Sequence, residues 1–208
     1  MTFLDNLSVF SSLIAIIGVI STIYFGRKTS KLEREKITLK WQDLEIATKD
    51  LSLNIKKDFM PDVIFIPDTK DGTIAHMIKS QLSSELSTIP TMVGILIWKN
   101  ENGENQNLPN YVKNFYDVCE TKKWSAYVPK EINMYKDKKI LIIDDIVFTG
   151  DLCSKLKDWF LANNFIVNNI KFACIISTKA VNKSAYAPDY YWKEIDSFDF
   201  YFPWGKGR

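Results

Sequence analysis

Two adjacent carboxylates, Asp144 and Asp145, follow four aliphatic residues, Ile140 to Ile143, and precede Ile146-Val147-Phe148-Thr149-Gly150-Asp151-Leu152. Neighbouring acids repel, so a chain that places them at the end of a buried run has a use for their charge or their acceptor oxygens. Thr149-Gly150 then opens a helix, and a loop of this kind offers free backbone N–H groups to an anion. Carboxylates accept hydrogen bonds from hydroxyls but repel phosphate. The pattern therefore suits a ligand that carries both, such as a ribose phosphate, with hydroxyls on Asp144 and Asp145 and phosphate on residues 148–152. The bland alternative is a solvated strand end.

Little else in the chain has the spacing of a reactive site. The cysteines, Cys119, Cys153 and Cys174, are widely separated and the one histidine is His76. They form no zinc-ligand pattern, and the cysteines read as reduced and buried. His76 reads as a surface or packed side chain. A net charge of +2 over 208 residues gives no reason to expect a nucleic-acid partner.

The elements that would hold the acidic pair alternate between strand and helix. The apolar runs Asp62–Pro67, Thr91–Lys99, Lys139–Ile143 and Ile170–Ser177 read as strands. Gly72–Leu86 and Gly150–Asn163 read as helices. Fully apolar strands alternating with helices predict an α/β fold with a central parallel sheet. Ligands bind such sheets at the carboxyl ends of the strands, which places the turns 67–72 and 144–151 at one edge. Lys31–Asp58 has a helical stripe at Ile37, Trp41, Leu44, Leu51 and Ile55. Packing onto the domain is the favoured use of that stripe, with a homo-oligomeric coil as the alternative. Asn100–Lys130 is long and polar with five embedded aromatics, and predicts a mobile cover.

The stretch "ILIIDDIVFTGDL" resembles the phosphoribosyl pyrophosphate signature of type I phosphoribosyltransferases. "PDVIFIPDTKDG" is similar to the first strand and pyrophosphate loop of the purine-type members, and "WQDLEIATKDLSLNIKKDFMPD" to their opening helix. "TKAVNKSAYAPDYYWKEIDSFDFYFPWG" is similar to their carboxyl end. The likeness spans about 38–205 with the 100–130 segment unmatched, and implies the type I phosphoribosyltransferase fold. It implies that Asp144 and Asp145 hold ribose hydroxyls, and that residues 146–152 hold the 5′-phosphate. Thr69, Lys70, Asp71 and Gly72 would form the pyrophosphate loop, and Lys179 would face an exocyclic oxygen of a purine. Mg2+ is implied through the ligand's pyrophosphate, with Asp144 and Asp145 touching it indirectly at most.

The departures bear on turnover. Phe148 stands where the purine enzymes often carry an acid suited to proton transfer, and Leu152 where the family usually has Ser or Thr. Phe198 is a loose match to the aromatic that stacks on the base, since Asp199 falls at the nominal place. Only Gly72 remains of a glycine pair. The sequence therefore supports two functions: transfer of phosphoribose to or from a purine-like base, and a degenerate sensor or effector module that binds a nucleotide or phosphoribosyl pyrophosphate and reports it through a membrane helix.

Leu7–Phe25 carries no charge over nineteen residues. As a helix it would span ~29 Å, enough to cross a bilayer. Residues 27–40 carry six basic and two acidic side chains, which predicts a cytoplasmic carboxyl side. A signal peptide would want basic residues before the run, and only Asp5 precedes it. The expectation is a single-pass inner-membrane protein: a membrane segment at 1–28, an amphipathic helix at 29–58 continuing it as a stalk, and a cytoplasmic domain at 59–208.

Overall fold

A computed structural model describes residues 37–83, 88–100, 109–196 and 200–206, together with 19, 21 and 22. Two compact units divide it, one of Met1–Thr38 with Ser197–Lys206, the other chiefly Leu39–Asp196. In the first, β1 (Ile37–Thr38) pairs parallel with β10 (Phe200–Phe202), and β10 pairs antiparallel with β11 (Gly205–Lys206). Phe202 stacks on Trp204 with ring centroids 4.8 Å apart.

The second unit is built on a five-stranded sheet, all parallel, in the order β3-β2-β7-β8-β9. These strands are Thr91–Val93, Val63–Ile66, Ile140–Val147, Ile170–Thr178 and Tyr190–Ile195. Ile140 to Ile143 and Cys174 to Ile176 are fully buried. This explains the unbroken apolar runs, since an interior parallel strand is covered on both faces. The helices are α1 (Trp41–Asp58), α2 (Gly72–Leu82), α3 (Asn110–Phe115), α4 (Asp151–Ala162) and α5 (Lys179–Asn182). Phe160 of α4 packs edge-on against Phe65 of β2 and Phe165, with centroids at 6.2 and 4.8 Å.

Three expectations fail in instructive ways. The helix expected over Lys31–Asp58 begins only at Trp41, because Ile37–Thr38 is a strand. Leu44, Leu51 and Ile55 are buried, so the stripe does pack on the domain, but Trp41 is 56% exposed and lies off it. No continuous stalk runs through 31–58. The single strand expected over 91–99 is two, which part at Gly94. β3 stays in the parallel sheet, while β4 (Ile95–Trp98) pairs antiparallel with β6 (Trp124–Pro129), which also pairs with β5 (Tyr116–Glu120). A Cβ at Gly94 would lie 2.8 Å from the Tyr127 carbonyl, so only glycine lets the chain cross between the sheets here.

The third concerns the supposed cover. Residues 101–108 lie outside the described residues, but 109–130 hold α3 and the β5–β6 hairpin. Trp124 and Tyr127 are buried. These two of the five aromatics form core, while Phe115 is 59% exposed and Tyr116 half-buried, so most of the segment is ordered strand and helix instead of a loose cover. The apolar run 7–25 lies outside the described residues apart from Val19, Ser21 and Thr22. Among the described residues no helix is long and apolar enough to cross a membrane.

Candidate functional site

β7 carries Asp144 and Asp145 near its carboxyl end, past the buried run, where both become half-buried. The turn after β2 approaches from the adjoining strand. Thr69–Asp71 forms one 3-10 turn whose start is capped by Asp68, which accepts from the Lys70 N–H at 3.4 Å. That turn aims Asp71 at the acidic pair. The Asp145 N–H donates both to Asp71 Oδ1, at 3.1 Å, and to Asp144 Oδ1, at 2.9 Å. One oxygen from each of the three carboxylates lies within 4.8 Å of the others.

Burial dominates the electrostatics. Asp71 is only 2% exposed. Its carboxyl titrates well above the usual carboxylate range, first because it is desolvated and then because Asp144 and Asp145 are near. Asp144 is raised likewise, by desolvation first and by Asp145 second, against the lowering effect of the Asp145 N–H. Three carboxylates this close are stable with shared protons or with a cation between them. Their oxygens are the donor set that a hard divalent ion such as Mg2+ takes, so these residues fit the ion that the resemblance implies.

Beyond the pair, Ile146 and Val147 are buried, and Val147 belongs to the main core. Any ligand contact from them is through the main chain. Gly150 sits at φ +74°, in the left-handed region, and a Cβ there would lie 2.6 Å from Cβ of Tyr186 and 2.8 Å from Val181 Cγ2. Conformation and space both require glycine. Thr149 is exposed, and its Oγ1 accepts from the Asp151 N–H at 3.4 Å. The N-cap of α4 is Gly150, which has no side chain to cap with, so beyond the long Thr149 contact to the Asp151 N–H the first-turn N–H groups keep capacity for an anion. Phe148 and Leu152 are half-buried rather than at an exposed loop end, and Leu152 packs against the main core.

The other expected contacts are placed as follows. Lys70 is exposed and pairs with Asp68 at 3.4 Å, and Thr69 donates to the same carboxylate at 3.3 Å. Gly72 opens α2 in ordinary helical conformation with no steric need for glycine. Lys179 follows β8 directly, and its Nζ lies 2.5 Å from Asp196 Oδ2. That hydrogen bond and charge hold the ammonium pKa above its usual value. Phe198 lies outside the described residues. The structure therefore brings Asp71 together with Asp144 and Asp145, while Lys70 and Lys179 are engaged by neighbouring acids. All three cysteines are free and buried. Burial pushes Cys119 up to about 11 and raises Cys153 and Cys174 as well, so none is poised as a nucleophile.

Two contacts tie the loop down, one from Thr178, which the sequence reading did not single out, and one from Trp124, which it had placed in the cover. The Thr178 hydroxyl donates to the Phe148 carbonyl at 2.7 Å and accepts from the Val181 N–H at 3.3 Å. The Trp124 indole N–H donates to Asp151 Oδ2 at 2.9 Å. Thr178 had a local signal, a threonine just ahead of a short helix. The Trp124 contact, across 27 residues, had none.

Residues 36–207 match the phosphoribosyl transferase domain family. No curated protein matches the chain by sequence. Among solved structures it is similar to a purine phosphoribosyltransferase from Pyrococcus horikoshii Ot3, with TM-score 0.59 and 19% identity, over 84% of this chain and 96% of that one. A hypothetical protein from Neisseria gonorrhoeae with bound ppGpp superposes with TM-score 0.57 and 14% identity, over 82% and 89%. The Helicobacter pylori xanthine-guanine-hypoxanthine phosphoribosyltransferase gives 0.54 and 14%, over 82% and 94%. At these identities the likeness is one of fold.

Proposed function

The chain belongs to the phosphoribosyl transferase family, and from that premise we propose that it binds phosphoribosyl pyrophosphate or a nucleoside monophosphate at the carboxyl edge of its parallel sheet. The observation that carries this reading is the acidic pair at the end of β7, followed by a left-handed Gly150 and an uncapped helix start. Asp144 and Asp145 accept the ribose hydroxyls. The N–H groups at 149–152 take the 5′-phosphate, aided by the α4 dipole.

If the site turns over, the bond between the anomeric carbon and pyrophosphate breaks, pyrophosphate leaves with the bonding pair, and a nitrogen of a purine-like base bonds to that carbon and gives its proton to water, since Phe148 cannot take it. A divalent cation, when bound, supplies positive charge that stabilises the pyrophosphate. The chain's own part is positioning and electrostatics. The carboxylates fix the ribose, and their negative charge favours the cationic character that develops at its anomeric carbon.

One observation favours a second reading, in which the domain binds but hardly turns over. Asp71 sits in the loop expected to hold pyrophosphate, buried beside two further carboxylates. Three acids oppose a pyrophosphate dianion unless protons or a cation neutralise them. With Phe148 and Leu152 in place of the family's polar residues, this favours a ligand-sensing module. Anchoring at the inner membrane, with the domain cytoplasmic, belongs to the same proposal and rests on the charge-free run 7–25 and its basic flank.

Calorimetry of the full-length protein with Mg2+ and phosphoribosyl pyrophosphate, ppGpp and a panel of nucleoside monophosphates tests the binding. Each hydroxyl–carboxylate bond is worth ~1.5–3 kcal/mol, so Asp144→Ala with Asp145→Ala should weaken binding roughly a hundredfold or more. Wild-type affinity in the double variant would remove the ligand from this site. Turnover at ordinary rates of ~1–10³ s⁻¹ would make the chain a plain transferase and end the sensor reading.

A further inference from the structure

The helix start that takes the phosphate in the proposed function also carries its own anion. Asp151 is the first residue of α4, so its carboxylate belongs to the same first turn as the N–H groups offered to the phosphate. Left free, it would turn toward them, since a carboxylate near a helix N-terminus is stabilised there. It would then occupy the phosphate's donors and repel the phosphate as well. In the structure it does neither, because Oδ2 accepts from the Trp124 indole N–H at 2.9 Å.

Trp124 is placed to do this rigidly. It is 3% exposed and begins β6. Its backbone is clamped by Thr121: the Trp124 N–H donates to Thr121 Oγ1 at 3.0 Å, and its carbonyl accepts from the Thr121 N–H at 2.9 Å. The same hairpin meets α4 again at Cys119, whose thiol donates to the Lys155 carbonyl at 3.5 Å. Indole is a donor with no acceptor capacity, so it holds a carboxylate without competing for the helix N–H groups.

We infer that Trp124 is a positioning residue for phosphate binding: it holds the Asp151 carboxylate away from the helix N–H groups that the phosphate needs. This rests on the ribose-phosphate reading of the site and adds to it an element, the β5–β6 hairpin, that touches no ligand itself.

The test is a double-variant cycle on the full-length protein, with ribose 5-phosphate as probe. Trp124→Phe keeps most of the buried surface and frees the carboxylate. It should weaken binding about tenfold, the scale of one charge at a helix terminus. With Asp151→Asn in place the same Trp124→Phe change should cost less than about twofold, because no anion is left to compete. A merely structural tryptophan would cost the same on both backgrounds, and that result would overturn the inference. Asp151→Glu is an independent arm that leaves the core intact. Its longer side chain overshoots the indole and reaches the N–H groups, so it too should weaken binding; unchanged affinity there would count against Trp124 even if Trp124→Phe fails to fold. A wild-type protein that does not bind ribose 5-phosphate at all would overturn the site reading together with the inference, whereas normal wild-type binding with a flat cycle overturns the inference alone.

Discussion

Asp71 is a buried carboxyl whose behaviour departs from its ordinary chemistry. Its folded-state pKa is raised by burial and by the two neighbouring carboxylates. A carboxyl raised on folding holds its proton in the native protein at pH values where the unfolded chain has already lost it. The unfolded state then binds fewer protons, so stability falls as pH rises from the ordinary carboxylate value to the raised one. The ligand-free protein should therefore lose thermal stability across that window. Asp71→Asn, which keeps an acceptor for the Asp145 N–H, should flatten the loss in a series of melting curves. If the slope is unchanged in the variant, Asp71 is not the group responsible. Mg2+ should raise the melting temperature of the wild type more than that of Asp71→Asn, because the variant removes one of three oxygen donors. The acidic pair itself was legible from sequence, since four aliphatic residues before two acids is a pattern a core cannot use. Its third member was assigned to a loop at 69–72, but the convergence with β7 depends on sheet order, which no local pattern states.

At the scale of elements, the parallel strands were legible because covering both faces requires a continuous apolar run, as in β2, β7 and β8. The antiparallel hairpin was not. Tyr116-Asp117-Val118-Cys119-Glu120 has no clean apolar/polar alternation, and in the structure Cys119 is buried while Val118 is exposed. Trp124 to Pro129 is buried at every position, so β6 has no two-residue period to read either. Gly94 was illegible for a different reason: its need for glycine comes from the Tyr127 carbonyl, more than thirty residues away in sequence. Two outcomes follow. Gly94→Ala places a Cβ 2.8 Å from that backbone oxygen and 3.1 Å from the Phe65 ring, and overpacking of this kind should cost ~1–3 kcal/mol in chemical denaturation. An unchanged midpoint would mean the two sheets part without strain. Amide hydrogen exchange over 116–129 should be slow in the ligand-free protein, because each of these strands is paired and β6 is buried along its length. Fast exchange that slows only with ligand would restore the mobile cover that the sequence suggested.

At the scale of the whole molecule, the question is where the family's fold is held in the cell. Residues 36–207 belong to the phosphoribosyl transferase family, and the chain around their start combines a charge-free run at 7–25 with six basic residues at 27–40. As a helix the first would be ~29 Å long, about the thickness of a bilayer's hydrocarbon core. Positive charge kept on the cytoplasmic side would fix its direction. The strand at Ile37–Thr38 changes the mechanical picture, because a helix leaving the membrane cannot run unbroken into α1. Any signal between membrane and site would have to pass through a non-helical joint near 37–40 instead of a rigid rod. The membrane assignment predicts that the full-length protein stays with membranes through carbonate extraction. It also predicts that protease added to intact spheroplasts leaves 36–207 uncut. Release by carbonate, or digestion from outside, would contradict the anchor or its direction. Deleting 7–25 separates anchoring from binding: affinity for a ribose phosphate should stay within about twofold, since every residue proposed to hold the ligand lies within 69–198, while the protein should leave the membrane fraction. Loss of binding in that truncation would mean that the segment supports the site directly.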